Sequence, residues 1–503
     1  MEIVGSLLNG FQTAITFQNL YLCFMGCLWG TMVGVLPGIG PLIGITLLIP
    51  ATFKIDATGA IIMLAGIYYG AMYGGSTTSI LMNVPGETAS IITCIDGYKM
   101  TLKGRGGAAL FISAWGSWIG GTLSVIGLMF LAPPLANFAM KFGPPEMFAV
   151  LLIAFILLGS LGSGSFFETM PMVFFGLFLG TVGMDPLTGL LRFTHDIDEL
   201  YDGFGVLAPA MGIFGIGEIL SATGESLVHA VHKVRFRELL PTGEELRASC
   251  GPVLRGSGIG FLIGLLPGAA HVLSSFVSYM VEKRLAKRPE EFGTGRIEGV
   301  AGPETANNAG STGAMIPFLA LGIPTGPAPA VMMIALLIHG IRPGPLLISE
   351  QPQIFWGLIA SMYIGNVILL ILNLPLVSIF VNLLRVPFRI LFPFILLICL
   401  VGTYSVSGNV FDLAVLLGFG VLGYVCRKLQ YDAAPLILAM ILGPNIEIAL
   451  RRSLMRSGGS FSIFLQSPIS SILIGLSGLL FVWNIYRALR PTKAAWEKAL
   501  EEA

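Results

Sequence analysis

An all-α polytopic membrane protein is the fold class that this sequence predicts, and three observations point to it. Hydrophobic residues make up 54% of the 503-residue chain and charged residues only 11%, against about 25% charged in soluble domains. Uncharged apolar runs long enough to cross a bilayer recur, without the short alternating segments of a membrane β-barrel. The third observation is that the two halves of the chain resemble each other. The formal net charge is zero, so no nucleic-acid footprint exists.

The apolar segments lie on both sides of a hydrophilic stretch. They cover 18–51, 58–82, 107–131, 146–163, 168–184, 204–222, 256–281, 305–341, 354–384, 388–406, 411–426, 433–449 and 468–486. We therefore predict a first repeat at 1–227, a cytoplasmic linker at 228–255, a second repeat at 256–456, and a last transmembrane helix with a charged cytoplasmic tail at 457–503.

Matching motifs recur at a near-constant offset. GVLPGIG at 34–40 corresponds to GLLPGAA at 264–270, and GGST at 74–77 corresponds to AGST at 309–312. NVPG follows the first of these clusters and GIPT the second, while GIGEI corresponds to GPNIEI. The pattern predicts two inverted repeats of about five membrane segments each. Re-entrant or broken-helix hairpins should have their tips near 36–40, 74–87, 266–270 and 310–326.

The segment 305–341 carries the strongest sign of a broken helix. It has no Asp, Glu, Lys or Arg, yet it contains Pro317, Pro324, Pro327 and Pro329. Proline removes a backbone donor, so we expect two half-helices with non-helical backbone between them. Such backbone is tolerated at membrane depth only where protein buries it or it lines a cavity. A single proline-kinked helix is the alternative.

Charge predicts the orientation. Basic residues flank the uncharged segment 256–281 on both sides, and such residues mark cytoplasmic loops. A re-entrant hairpin with its tip at 266–269 satisfies both flanks; an ordinary helix with one flank against the rule is the alternative. The inverted repeat then places the N-terminus in the periplasm and the C-terminus in the cytoplasm. Arg451, Arg452 and Arg456 would face outward, against the rule.

The Gly-Ser-Thr clusters are the candidate substrate site. Half-helix N-termini bind anions because their first N–H groups are unpaired, glycine allows close backbone approach, and hydroxyl groups add uncharged donors. The candidate substrate-binding residues are Gly75, Ser76, Thr77, Thr78, Pro85, Gly86, Gly310, Ser311, Thr312, Gly322, Pro324 and Thr325.

Amide and carbonyl oxygens at helix breaks suit a sodium ion. The candidate ion-binding residues are Gly38, Asn83, Gly268, Asn307 and Asn308. We interpret three carboxylates at the segment edges, Glu87, Asp96 and Glu304, as solvated caps. Glu218 and Glu447 match across the repeat; a transport role and simple interhelical pairing are both open. The role of His271, beside the second LPG motif, is also open.

Enzyme and cofactor motifs are missing from the sequence. It has no HExxH, GxSxG or P-loop motif, which disfavours a hydrolase or direct ATP drive, so we expect no enzyme and no cofactor apart from sodium. The cysteines include no CxxC pair, and we interpret all six as small apolar fillers.

Three motifs, GVLPGIG, YGGSTTSILMNVPGE and PETANNAGSTGAMIPFLALGIP, resemble the large membrane subunit of the tripartite tricarboxylate transporter family. The resemblance covers about residues 18–450. It implies a secondary transporter of the bacterial inner membrane with a small membrane subunit of about four helices and a periplasmic solute-binding protein. It also implies a carboxylate substrate such as citrate and a sodium gradient as the usual drive. The family's motifs map onto Asn83 to Gly86 and Glu304 to Asn308. Thr325-Gly326 departs from the Gly that we expect directly after Pro324.

The expected function is therefore ion-gradient-driven carboxylate uptake by alternating access, with the site between two hairpins. Long unbroken segments such as 107–131 and 354–384 should form the scaffold and hold the small subunit. Replacing both Ser76 and Ser311 by alanine should weaken uptake. A proton-coupled carrier of another small organic anion and a passive channel are the alternatives. The oligomeric state, including a homodimer of the membrane complex, is left open.

Overall fold

The protein is almost entirely helical over the residues that the computed structural model describes, which are 2–36, 40–161, 166–222, 239–266, 270–377, 379–380 and 388–489. One short antiparallel ribbon pairs Gly183 with Arg192 and Met184 with Leu191. Six described helices, at Ala57–Met82, Gly106–Ala139, Pro352–Asn373, Val410–Lys428, Ala434–Arg456 and Pro468–Tyr486, are long and apolar enough to cross a membrane. The predicted all-α membrane fold is confirmed.

The helices are numbered in chain order. They are α1 Glu2–Ala14, α2 Phe17–Val35, α3 Gly40–Thr52, α4 Ala57–Met82, α5 Ile91–Leu102, α6 Gly106–Ala139, α7 Pro144–Leu161, α8 Phe166–Leu179, α9 Leu207–Ala210, α10 Gly217–Ala222, α11 Gly243–Gly264, α12 Ala270–Leu285, α13 Glu298–Gly313, α14 Met315–Leu321, α15 Pro327–Ile338, α16 Leu347–Glu350, α17 Pro352–Asn373, α18 Phe388–Ser407, α19 Val410–Lys428, α20 Ala434–Arg456 and α21 Pro468–Leu489. A π-helical stretch, Met211–Ile216, joins α9 to α10.

The predicted helix breaks lie close to the prolines. Segment 18–51 forms α2 and α3, and segment 256–281 lies within α11 and α12. The LPG tips at 37–39 and 267–269, with Gly38 and Gly268, lie outside the described residues. In segment 305–341, non-helical backbone at 322–326 separates α14 from α15, and Gly322 has a left-handed φ of 71°. The two half-helices are confirmed here, and a single kinked helix is excluded.

Two compact units divide the chain. The first contains Met1–Met140 and Leu207–Val425, and the second contains Lys141–Val206 and Cys426–Ala503. Each unit combines an earlier and a later stretch of the sequence. The predicted repeat boundaries follow the sequence motifs instead, and they stay a prediction. Residues 228–238 of the predicted linker lie outside the described residues, and its end, 243–255, belongs to α11.

Glycine seams hold the interior helix pairs of the first unit together. A Cβ at Gly26, Gly30 or Gly34 of α2 would lie 2.2–2.4 Å from a carbonyl oxygen of α4. In α11 the same applies: a Cβ at Gly256 or Gly260 would lie 2.6 or 2.3 Å from a carbonyl oxygen of α13. Small residues at this spacing let helix backbones approach closely inside a membrane. Both α4 and α13 are buried along most of their length, so neither is a lipid-facing span.

The first helix is an element that the apolar segments did not include. α1 packs along α17, where a Cβ at Gly10 would lie 2.3 Å from the Trp356 carbonyl oxygen. Phe11 stacks on Tyr363 with ring centroids 6.1 Å apart.

In the second unit α7 packs on α21 and α8 packs on α20. Glu447 on α20 accepts hydrogen bonds from Arg192 (2.7 Å) and Arg451 (3.1 Å). Arg451 also binds Asp185 at 2.7 Å. Glu447 therefore has a pairing role within this unit, which was one of its two interpretations. Arg451, which the predicted topology places on the outer side against the charge rule, has carboxylate partners. The side chain of Glu218, its counterpart, lies outside the described set.

Candidate functional site

A buried network of polar side chains, here called the polar centre, lies where α4, α5, α6 and α13 meet in the first unit. Its residues are Ser76, Glu87, Thr93, Ser113, Ser117, Glu304, Asn307 and Asn308, and each is at most 8% exposed. Burying a polar group without a partner is costly, and burying a charge is more so. The partners of each group therefore show what the polar centre can do.

Glu304 on α13 is the centre of this network. Its carboxylate accepts hydrogen bonds from Ser76 of α4 and Thr93 of α5, and from Ser113 of α6 at 3.2 Å. Three hydroxyl groups from three other helices thus solvate one carboxylate. Hydrogen bonds to an ionised group are roughly twice as strong as neutral ones, so this set can hold a buried charge without a basic residue.

Asn308 and Ser117 join α13 to α6. The Asn308 amide nitrogen donates to the Ser117 hydroxyl at 2.7 Å and to the Glu304 carbonyl oxygen at 3.2 Å. The Ser117 hydroxyl donates to that same carbonyl at 3.4 Å. The backbones approach closely because α6 has glycine here: a Cβ at Gly120 would lie 2.6 Å from the Thr305 carbonyl oxygen.

Glu87 enters the polar centre from the break after α4. The helix ends at Asn83, whose φ of 59° is left-handed, and the chain then folds back over its own helix. A Cβ at Gly75 would lie 2.6 Å from Glu87 Cγ, and a Cβ at Gly86 would lie 2.5 Å from Gly75 Cα. Both glycines are therefore needed to seat Glu87.

The carboxylate of Glu87 is only half satisfied. Its Oε1 accepts a hydrogen bond from the Asn307 amide nitrogen at 2.7 Å. Within the described residues, Glu87 Oε2 and Asn307 Oδ1 are both buried and have no hydrogen-bond partner. Two acceptor oxygens without a donor therefore lie on one linked pair of side chains.

Asp96 on α5 holds the loop that leads into α13. Its carboxylate accepts hydrogen bonds from the Tyr279 hydroxyl (2.9 Å) and from the backbone N–H groups of Gly293 (2.9 Å), Gly295 (2.7 Å) and Arg296 (2.8 Å). The loop before α13 is thereby tied to α5. This role is structural, because the bonds tie α5 to α12 through Tyr279 and to the loop before α13 through three backbone N–H groups.

The prediction that Glu87, Asp96 and Glu304 are solvated caps is wrong. All three are buried, at 8%, 0% and 1% exposure. The sequence places them near the ends of apolar runs, but tertiary packing covers those ends: the loop after α4 folds inward, and α13 lies wholly inside the unit.

The Gly-Ser-Thr clusters do not lie at helix N-termini, which corrects the reason given for choosing them. Gly75 to Thr78 lie inside α4, and Gly310 to Thr312 lie in the last turns of α13. Hydroxyls in both clusters donate to carbonyls of their own helix, as Ser311 does to Asn307 at 2.9 Å, so they do not interrupt it. Unpaired N–H groups are therefore not what these clusters offer a substrate.

The structure brings only part of the predicted site together. Ser76, Asn307 and Asn308 lie in the polar centre, with Thr77 and Thr78 buried beside them on α4. Asn83 is exposed, and its left-handed backbone ends α4, so it does not join Asn307 as an ion ligand here. Pro85 is half-buried within the first break.

The second break makes different contacts from the first. Pro324 and Thr325 are buried, and the Thr325 hydroxyl donates to the Ala314 carbonyl oxygen at 3.4 Å. A Cβ at Gly322 would lie 2.6 Å from the Pro343 carbonyl oxygen. These contacts hold the second break against Ala314 and Pro343. His271 is half-buried in the first turn of α12.

Sequence reasoning missed Thr93, Ser113 and Ser117. For α6 a signal existed: Ser113, Gly116, Ser117 and Gly120 lie on one face of an otherwise apolar helix. Such small and polar spacing indicates a helix interface rather than a lipid face. The predicted scaffold helix therefore lines the polar centre.

The polar centre can attract a cation and repels an anion. Among the ion pairs of the described residues, none involves Glu87 or Glu304. All the hydroxyl and amide donors that reach the two carboxylates are neutral. Two buried carboxylates with neutral partners leave a negative potential that a bound cation or proton would relieve.

Comparison with known proteins gives one family. The model of the Tripartite tricarboxylate transporter TctA family matches residues 20–438. An Agrobacterium vitis protein named "Uncharacterized 52.8 kDa protein in TAR-I ttuC' 3'region" is 46% identical over 476 residues, covering 95% of each chain. Another from that organism, "Uncharacterized protein in TAR-II ttuC' 3'region", is 50% identical over 231 residues, or 46% of this chain and 96% of its own. No solved structure matches the chain.

Proposed function

The chain belongs to the tripartite tricarboxylate transporter TctA family, and from that premise we propose that it takes up a di- or tricarboxylate such as citrate, driven by an inward cation gradient. The family implies secondary tricarboxylate transport by a multi-pass membrane protein. It also implies a small membrane subunit and a periplasmic binding protein, and we place the complex in the bacterial inner membrane. Sodium is the proposed coupling cation.

The polar centre is the observation that supports this proposal. It holds two buried carboxylates, Glu87 and Glu304, inside helices that are otherwise apolar. A substrate carboxylate at about 6 Å from one such charge would be repelled by about 3 kcal/mol at an effective dielectric constant of about 20. An anion therefore enters beside the polar centre favourably only once a cation has compensated that charge. This order of binding is what couples the two fluxes.

The substrate then binds next to, rather than within, the hydrogen bonds of Glu304. Ser76 serves Glu304 in the described conformation, so its hydroxyl becomes available to a substrate only when α4 moves relative to α13. We propose alternating access with that movement as its central step, and α17 as part of the scaffold. The proposed topology keeps the N-terminus periplasmic and the C-terminus cytoplasmic.

A proton-coupled carrier is the second candidate function. The observation that favours it is the same pair of buried carboxylates, because protonation of Glu87 at Oε2 would remove a buried charge on an oxygen that has no donor. The two candidates differ in which gradient drives accumulation.

The test is uptake of labelled di- and tricarboxylates into proteoliposomes that hold the protein, its small subunit and the binding protein. We expect accumulation that requires both an inward sodium gradient and the binding protein. Accumulation driven only by a proton gradient would replace sodium by protons. Equilibration without accumulation would contradict the proposal and favour a channel.

A further inference from the structure

We propose that Glu87 Oε2 and Asn307 Oδ1 are ligands of a small monovalent cation bound between the break after α4 and the middle of α13. This inference deepens the proposed function by naming the coupling site, and it rests on that function for its role in transport. The Asn307 part was expected from sequence. Glu87 as the charged ligand comes from the structure.

The two oxygens are built into place. Asn307 is 1% exposed, and its amide nitrogen is already committed to Glu87 Oε1 at 2.7 Å, which fixes which way its oxygen points. Glu87 is held by the close approach of Gly86 to Gly75. Both acceptors are buried and have no donor among the described residues. A cation supplies what both atoms lack.

The charge of the surroundings favours a monovalent ion. Glu304 has three hydroxyl donors, whereas Glu87 has the Asn307 amide and the Ala89 backbone N–H as donors and one oxygen, Oε2, without any. The other titratable groups that face the two carboxylates are Tyr68 of α4 and Cys94 of α5. Neither is a cation. The proposed ligand set contains one carboxylate, so one positive charge matches it.

The ligand types also restrict the ion. Carboxylate and amide oxygens are hard ligands, typical of alkali and alkaline-earth ions. Calcium takes six to eight oxygens, with several carboxylates among them. The described residues contain no cluster of three His, Cys, Asp or Glu side chains that would hold a metal ion. Sodium is therefore the probe for this site.

The experiment is equilibrium binding of ²²Na⁺ to the purified full-length protein with its small subunit, with potassium keeping the ionic strength constant. Wild type should bind sodium saturably, and Glu87→Gln should weaken binding at least about 10-fold. Asn307→Ala should weaken it several-fold. Glu447→Gln removes a carboxylate in the other compact unit and should leave sodium binding unchanged.

Folding is checked separately by the thermal unfolding midpoint measured without sodium. Where Glu87→Gln does not fold, Glu87→Asp and Asn307→Ala carry the test, because each keeps part of the ligand set. Saturable sodium binding that neither variant weakens would overturn the assignment, and so would a wild type that binds no sodium.

Uptake assays separate this inference from the proposed function. Sodium-driven carboxylate uptake by wild type, together with unchanged sodium binding in Glu87→Gln, would keep the function and remove this site. Sodium binding that depends on Glu87 in a protein without carboxylate uptake would do the reverse.

Discussion

Helices α4 and α13 pack against their partner helices in a similar way, but the side chains around their Gly-Ser-Thr motifs differ in chemistry. Both carry a Gly-Ser-Thr motif and both pack along a glycine-rich partner, α2 or α11. Five residues before the motif α4 has Tyr69, where α13 has Glu304. Directly before the motif α4 has Met72 and Tyr73, where α13 has Asn307 and Asn308.

This difference places a neutral hydroxyl on one helix and the carboxylate and amides on the other. From α4 the polar centre receives a hydroxyl donor, Ser76, and from α13 it receives the carboxylate and both amides. Two identical helices would offer either hydroxyls with nothing charged to bind or two facing carboxylates. Because α4 and α13 carry different side chains, a cation site can form between them while their backbones stay closely packed against their partner helices.

The largest expected effect comes from removing the acceptor on α13. Glu304→Ala leaves the hydroxyls of Ser76, Thr93 and Ser113 without their common partner, and each unsatisfied buried group costs about 1–3 kcal/mol. We expect uptake to fall below detection and the thermal unfolding midpoint to drop. Tyr69→Phe, at the corresponding position of α4, removes a hydroxyl without a described partner and should be neutral. Equal effects of the two substitutions would contradict the difference in roles between α13, which carries the carboxylate, and α4.

A smaller effect should come from the glycine that seats Glu87. Gly75→Ala places a methyl group 2.6 Å from Glu87 Cγ, so Glu87 must move. We expect sodium-dependent uptake to fall about 10-fold, with a loss of stability of about 1–3 kcal/mol typical of overpacking. The matched control is Gly258→Ala in α11, which has nothing within 4 Å and should be neutral or slightly stabilising. Normal sodium dependence in Gly75→Ala would contradict the claim that Gly75 positions Glu87 for sodium binding.

The two serines should differ although their motifs match. Ser76→Ala removes a hydrogen bond to a carboxylate, worth about 1.5–3 kcal/mol, whereas Ser311→Ala removes bonds only to neutral groups, the Asn307 carbonyl and the Tyr68 hydroxyl. The uptake KM for sodium should rise in Ser76→Ala and stay near wild type in Ser311→Ala. The double variant should then behave like Ser76→Ala alone. A dominant effect of Ser311 would place the substrate on α13 instead.

The smallest effect lies outside the polar centre, at the Arg105–Glu245 pair. Burial raises the pKa of Glu245, but hydrogen bonds from Arg105 and Thr242 outweigh it and hold the pKa below its ordinary value. A lowered folded-state pKa contributes stability above the unfolded pKa of about 4.3, and that stability is lost as pH falls through the folded value.

Glu245→Gln should therefore cost about 0.5 kcal/mol near neutral pH, as partly exposed pairs do, and the difference from wild type should vanish in acid. Thermal unfolding of both proteins across pH measures it. A cost that grows as the pH falls would contradict the sign. Uptake should be unchanged, which separates a surface pair from the buried carboxylates.

The sequence predicted the helix breaks and the motif-bearing helices because proline and glycine act locally. Pro324 and Gly322 interrupt the helix through their own backbone properties. Their effect can therefore be predicted without knowing which helices pack around α14 and α15. Asn307 and Asn308 were recognised because amides are unusual in an uncharged run.

The carboxylates were misjudged because burial is a property of packing. Glu87 looks like a cap at the end of α4, and only the stacking of Gly86 on Gly75 turns it inward. Thr93 and Ser113 donate to Glu304 from helices far away in the chain, and no local pattern encodes that meeting. The Gly-Ser-Thr clusters were placed at half-helix starts because nearby prolines predict broken helices, and their glycines were expected to approach a ligand. In the structure Gly75 instead makes room for Glu87.

The sodium activation curve of carboxylate uptake, compared between wild type and Glu87→Gln in proteoliposomes, tests the central claim most directly. The polar centre as coupling site predicts that wild type accumulates substrate with saturable sodium dependence. Glu87→Gln should then lose accumulation and respond little to sodium at any concentration. The same sodium curve in both proteins would contradict the claim and move the coupling ion away from the break after α4.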